Sequence, residues 1–218
     1  MAHRISTRIS LRWLPDPPSE PTDTLVFNVG DFFMDLRVLK ADASIDWGMA
    51  GERQILSKDP LKCRWIKTID SLGPSEPDEG TFTPLPSGDD LETGSMPCAE
   101  KENAVTDYEE VWRKLVPRSG PKRGWILQSV EGKTFLGRVG GGYLALSDEQ
   151  GHKFGARSEE WSPEKGWRVK YAIGDVEGVP SFAGAGSELL EGEAAWKIGE
   201  TVVAFGKDFV VRAFENID

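Results

Sequence analysis

The sequence predicts an all-β protein made of two antiparallel β-barrel halves with one or two short helices. Three observations lead there. Apolar and polar residues alternate with a period of two along most of the chain, as expected of half-buried strands. Glycine, asparagine and aspartate stand between those runs where hairpins must turn. Helical periodicity is convincing at one place only, and closing each meander into a barrel removes exposed strand edges.

In order along the chain, Ile5, Ile9, Leu11 and Trp13 share one parity, with Ser and Arg on the other, until Pro15, Pro17, Pro18 and Pro21 end the strand. Residues 25–29 and 32–40 then form a hairpin about Gly30-Asp31. Its second strand has an apolar face of Phe32, Met34, Leu36 and Val38 and a mixed face of Phe33, Asp35, Arg37 and Leu39. Strands are also expected over 44–49 and 62–69. Residues 73–104, rich in Pro, Gly, Ser and acids, read as a long excursion that holds at most short strands at 81–83 and 90–93. Thr106 to Leu115 reads as a helical turn or short helix, with a threonine cap, early acids, late bases and Tyr108, Val111, Trp112 and Leu115 at helical spacing.

The breakers and basic residues of 117–123 mark a linker, dividing an N-terminal half (1–116) from a C-terminal half (124–218). Beyond it, 125–130, 134–139 and 143–146 form a three-strand meander. Gly140-Gly141-Gly142 reverses it as a hairpin turn; a phosphate loop would need a Lys-Ser/Thr ending and a following helix. A later strand alternates Trp167, Val169, Tyr171 and Ile173 with Arg168 and Lys170, and a last hairpin spans 200–214.

Composition narrows the function. A hydrophobic fraction of 39%, with 8 Trp and 10 Phe, supplies enough bulky area for real cores. A net charge of −10 argues against nucleic acid and anionic membranes as partners. No window approaches the roughly 20 apolar residues of a membrane span, and the opening residues lack a secretory apolar run, so a cytoplasmic protein is expected. Cys63 and Cys98 then read as reduced thiols. With His3 and His152 as the only histidines, no zinc pattern and no Ser-His-Asp set is expected, so no metal, no cofactor and no catalytic residue is assigned. The acid pairs Asp89-Asp90, Glu109-Glu110 and Glu159-Glu160 read as solvated charge.

Candidates for binding remain. Asp35 and Arg37 would stand side by side if their face lined a cavity, although an exposed and weak surface pair is the more economical reading. Trp47, Trp65, Trp112, Trp125 and Trp167 exceed what packing requires and could line a barrel that holds an apolar ligand, with core packing as the alternative. Arg138 and Tyr143, across a hairpin from each other, could supply convergent polar groups, and Tyr171 joins the set.

Residues 45–51 (Ile-Asp-Trp-Gly-Met-Ala-Gly), 91–94 (Leu-Glu-Thr-Gly) and 108–112 (Tyr-Glu-Glu-Val-Trp), with 125–146 and 201–214, together resemble the fungal Hri-one protein family. The resemblance covers most of the chain and implies two lipocalin-like, calycin-like barrel halves. It implies no catalytic residue. It does imply a protein-kinase partner, because the family is named for an association with a casein-type kinase. Two functions are therefore expected from different classes. One is binding of an apolar or aromatic small molecule in a barrel, with cofactor-free cyclisation of the cycloaddition type, as in fungal secondary metabolism, as its enzymatic form. The other is an interaction protein that meets a kinase or translocation partner through its acidic surface and residues 73–104.

Overall fold

The computed structural model describes residues 5–148, 153–186 and 189–217. His3 and His152 lie outside the described residues. Eight antiparallel strands close the first half: β1 (Ile5–Trp13), β2 (Thr22–Val29), β3 (Phe32–Leu39), β4 (Ile45–Lys58), β5 (Leu61–Asp70), β6 (Asp78–Pro84), β7 (Asp90–Cys98) and β8 (Ala104–Lys114). Each pairs with the next, and β8 returns to β1 from Ser6↔Lys114 to Trp13↔Tyr108.

The second half contains β9 (Arg123–Ser129), β10 (Thr134–Val139), β11 (Gly142–Asp148), β12 (Phe154–Ser162), β13 (Gly166–Gly174), the short helix α1 (Phe182–Ala185), β14 (Thr201–Ala204) and β15 (Lys207–Asn216). Its strands form a seven-stranded antiparallel sheet in the order β13-β12-β11-β10-β9-β15-β14, with β13 and β14 at its edges.

Three local expectations need correction. Residues 106–115 are not helical: they fall in and just beyond β8, where neighbours on both sides satisfy the backbone. Tyr108, Glu110 and Trp112 also fit a period of two, and ladder pairing outweighs the cap and charge signals that suggested a helix. The excursion at 73–104 is largely barrel wall, since β6 and β7 pair over five positions and β7 and β8 over nine. Within β13 the alternation breaks at the bulge facing Ser158 and Glu159, so Trp167 falls on one face of the sheet and Tyr171 and Ile173 on the other.

Docking of the halves explains the two faces of β3. Met34, Leu36 and Val38 point out of the barrel and pack with Phe27, Val29 and Ile69 against Ile126, Phe135, Leu144, Leu146 and Ala213 of the sheet. The mixed face of Phe33, Asp35 and Arg37 turns inward. The sheet's opposite face holds Trp125, Leu127, Leu136 and Tyr143 beneath Phe182 and Trp196, so it is apolar on both sides. Contacts are close enough to require glycine. A Cβ on Gly48 would come within 2.5 Å of the Phe154 ring, and one on Gly137 within 2.5 Å of Met34 Sδ. Polar ties cross the same seam, from Lys170 and the Tyr171 hydroxyl to Asp23 (2.7 and 2.8 Å) and from the Gly30 amide to Glu215 (3.0 Å).

Candidate functional site in the first barrel

The first barrel encloses a cavity of about 680 Å³. The hairpin tips joining β4 to β5 and β6 to β7 border one end, and Trp47, Met49, Met96 and Tyr108 border the other. Its wall combines aromatic rings (Phe33, Trp65, Phe82, Trp112) with charged side chains (Asp35, Arg37, Arg53, Glu92, Glu110). Alternation places them there, because Asp35 and Arg37 share one face of β3 and Tyr108, Glu110 and Trp112 one face of β8.

The charges form a network. Arg37 pairs with Asp35 Oδ2 at 2.9 Å and Glu110 Oε1 at 3.4 Å, while its guanidinium lies 4.8 Å from the Trp47 ring centre and 5.9 Å from that of Trp112. Arg8 meets the same Glu110 oxygen at 2.5 Å and Glu20 at 2.7 Å. Trp47 is held as a fixed part of the wall, since its indole donates to Asp70 (2.7 Å) and Lys67 lies 5.4 Å from its centre. Glu92 accepts from the Tyr108 hydroxyl at 3.1 Å and rests over the backbone of β6, where a Cβ on Gly80 would collide with its carboxylate.

Burial and like charge set the protonation states. Burial, reinforced by Glu110, raises Glu92 to about 8, against the pull of Tyr108 and Arg37, so it is largely protonated at neutral pH. Burial also lifts Asp35 above the usual carboxylate range, although Arg37 opposes it. For Arg37 burial favours the neutral form, and Asp35 and Glu110 reverse that and hold it charged. The Tyr108 hydroxyl is pushed up by burial and then by Glu92 and Glu110, so it stays a donor. Cys63, also on the wall, has its thiol raised by burial and is unpaired, as is buried Cys98.

Of the sequence candidates, Asp35, Arg37, Trp47, Trp65 and Trp112 meet at this cavity. The exposed ion pair preferred for Asp35 and Arg37 is therefore corrected to a buried one, at 4% and 7% exposure. Glu110, read as solvated, is likewise buried. Trp125, Arg138, Tyr143 and Trp167 gather elsewhere, in the covered face of the second sheet. Arg138 and Tyr143 are register partners, but Arg138 engages Glu193 (3.3 Å) and the Tyr143 hydroxyl donates to the Pro180 carbonyl (3.1 Å), so both complete a packed core. Tyr171 sits at the seam between the halves. Sequence reasoning passed over Arg8, Glu92, Tyr108 and Glu110. Tyr108-x-Glu110-x-Trp112 carried a usable signal, three residues of one parity, which the helical reading hid.

A family model described as Protein HRI1 matches residues 4–202. The chain belongs to the HRI1 family. The segments by which it resembled that family bring Trp47, Glu92, Glu110 and Trp112 to one cavity from three different strands. Among solved structures, the chain is similar to the crystal structure of an uncharacterized protein, YLR301w, from Saccharomyces cerevisiae. That match has a TM-score of 0.74 and 14% identity over 97% of this chain and 98% of the other, which shows a shared fold. No curated protein matches the sequence. No helix among the described residues is long and apolar enough to cross a membrane.

Proposed function

We propose that this HRI1-family chain binds a small, largely apolar or aromatic molecule inside its first barrel, with the charged floor fixing one polar group of the guest. The observation that carries this reading is the cavity of about 680 Å³, bordered by Trp65, Trp112, Phe33 and Phe82. That volume falls within the roughly 300–1,000 Å³ of small-molecule sites, which likewise combine apolar walls with a few convergent polar groups. Buried polar atoms without partners give further support: Asp35 Oδ1 and Asn28 Oδ1 both belong to residues on the wall. A guest that hydrogen-bonds there would relieve part of that cost. Tryptophan fluorescence titrated with a broad panel of hydrophobic and aromatic compounds tests the reading. Saturable quenching that weakens in Trp112→Leu supports it, and a flat response across the panel sinks it.

Ring closure driven by orientation alone is the enzymatic form of the same role, since holding a flexible substrate in a reactive pose needs only a shaped cavity. Incubation with a reactive polyene would then shift product ratios away from the uncatalysed distribution, and unchanged ratios would dismiss the enzymatic form. The kinase-partner reading would use the acidic surface together with residues 73–104, about half of which lie in strands of the barrel wall.

A further inference from the structure

Charge inside the barrel is unevenly matched. Arg8 is shared by Glu20 and Glu110, and Arg37 by Asp35 and Glu110. Among these ion pairs two guanidiniums therefore serve three carboxylates, and neither Glu92, 5% exposed, nor Arg53 on the same wall has an ion-pair partner among the described residues. The groups facing it are Tyr108, Glu110 and Trp112 of β8, Arg37 of β3 and Cys63 of β5, while β6 offers only backbone at Gly80. A second, independent observation points the same way: Asp35, 4% exposed and on the cavity wall, keeps Oδ1 without a hydrogen-bond partner. A buried carboxyl group without an ion-pair partner, on a wall shared with Trp112, Trp65 and Phe82, is the chemistry that recognises an organic cation.

We infer that the cavity selects a guest bearing a protonated amine on its apolar body, and that Glu92 is the residue that reads the charge. The inference rests on the binding role proposed above and adds the class of ligand. Binding exchanges one cation for another: the carboxylic acid of Glu92 gives its proton to solvent and the resulting carboxylate pairs with the ammonium. No bond of the guest is made or broken. Arg53 is the group that could instead favour an anion, since it lies on the same wall and its Nε lacks a partner, so an anionic probe belongs in the test.

Isothermal titration of the full chain with naphthylmethylamine, naphthylmethanol and naphthoate separates these outcomes. The amine is expected to bind at least about tenfold more tightly than the alcohol, and naphthoate more weakly than either. Titration at pH 7 in two buffers of different ionisation enthalpy should report release of close to one proton with the amine and none with the alcohol. Glu92→Gln should abolish the release and the preference while the alcohol still binds. Should that variant fail to fold, wild-type affinity for the amine between pH 6 and 7 decides, with an expected rise of about tenfold absent for the alcohol. Equal binding of amine and alcohol, a preference for naphthoate, or release that persists in Glu92→Gln would overturn the charge assignment and leave the cavity role standing. Binding of none of the three would overturn both.

Discussion

Arg37 is the residue on which the barrel's interior most depends. It is buried with Asp35 and Glu110, and its charge is the main compensation for Asp35 while it shares Glu110 with the closer Arg8. Removing one partner of a buried network leaves charge stranded, at a cost of about 3–5 kcal/mol. Arg37→Ala should therefore lower the denaturant midpoint strongly, and a loss under about 1 kcal/mol would show that water or rearrangement compensates. Glu92 gives the opposite kind of prediction. Its folded pKa, about 8, lies above the model-peptide value of 4.5, so between those values the folded chain binds more protons than the unfolded one. Stability contributed by this group is full below about 4.5 and is lost as pH rises towards 8. Glu92→Gln, which mimics the protonated form, should be the more stable protein at pH 8, by on the order of 4 kcal/mol, and should lose that advantage at pH 4. Thermal melts across this range check the sign. Neither residue's setting was legible from neighbours in sequence: Asp35 and Arg37 were visible as a pair, but an exposed pair and a buried one have the same spacing.

At the scale of elements, β8 and β4 carry the lesson. In β8 the helical signals were local, whereas the strand is held by partners on both sides that lie far away in sequence. In β4, Gly48 belongs to a segment that resembled the family, and its role is steric, since it lets the strand approach Phe154 of β12. Gly48→Val should destabilise the protein by about 1–3 kcal/mol through overpacking. Phe154→Ala in the same chain should recover part of that loss, giving a coupling energy above about 0.5 kcal/mol in a double-mutant cycle. Additive effects would mean that the seam yields elsewhere. The bulge in β13 belongs to the same class, because one extra residue reverses which side chains face the barrel without leaving a mark in the alternation.

For the whole molecule, the barrel is apolar on the outer face that meets the second sheet and charged along much of its interior, so the halves are expected to depend on each other. Residues 1–116 expressed alone would expose Phe27, Val29, Met34, Leu36 and Ile69. That fragment should bind a dye for exposed apolar surface and aggregate, and the full chain should unfold in one transition seen equally by far-UV and tryptophan signals. Two separated transitions would show that the barrel is stable without the sheet. By itself the sequence determined the class of the fold and the places where most hairpins turn, because alternation and turn residues act within a few positions of each other. It also named five of the cavity's residues. Only the tertiary structure decided which face of each strand looks inward, because both faces of β3 are buried and the packing of the second sheet chooses between them. The unmatched charge of Glu92 arises in the same way, from strands brought together across the barrel.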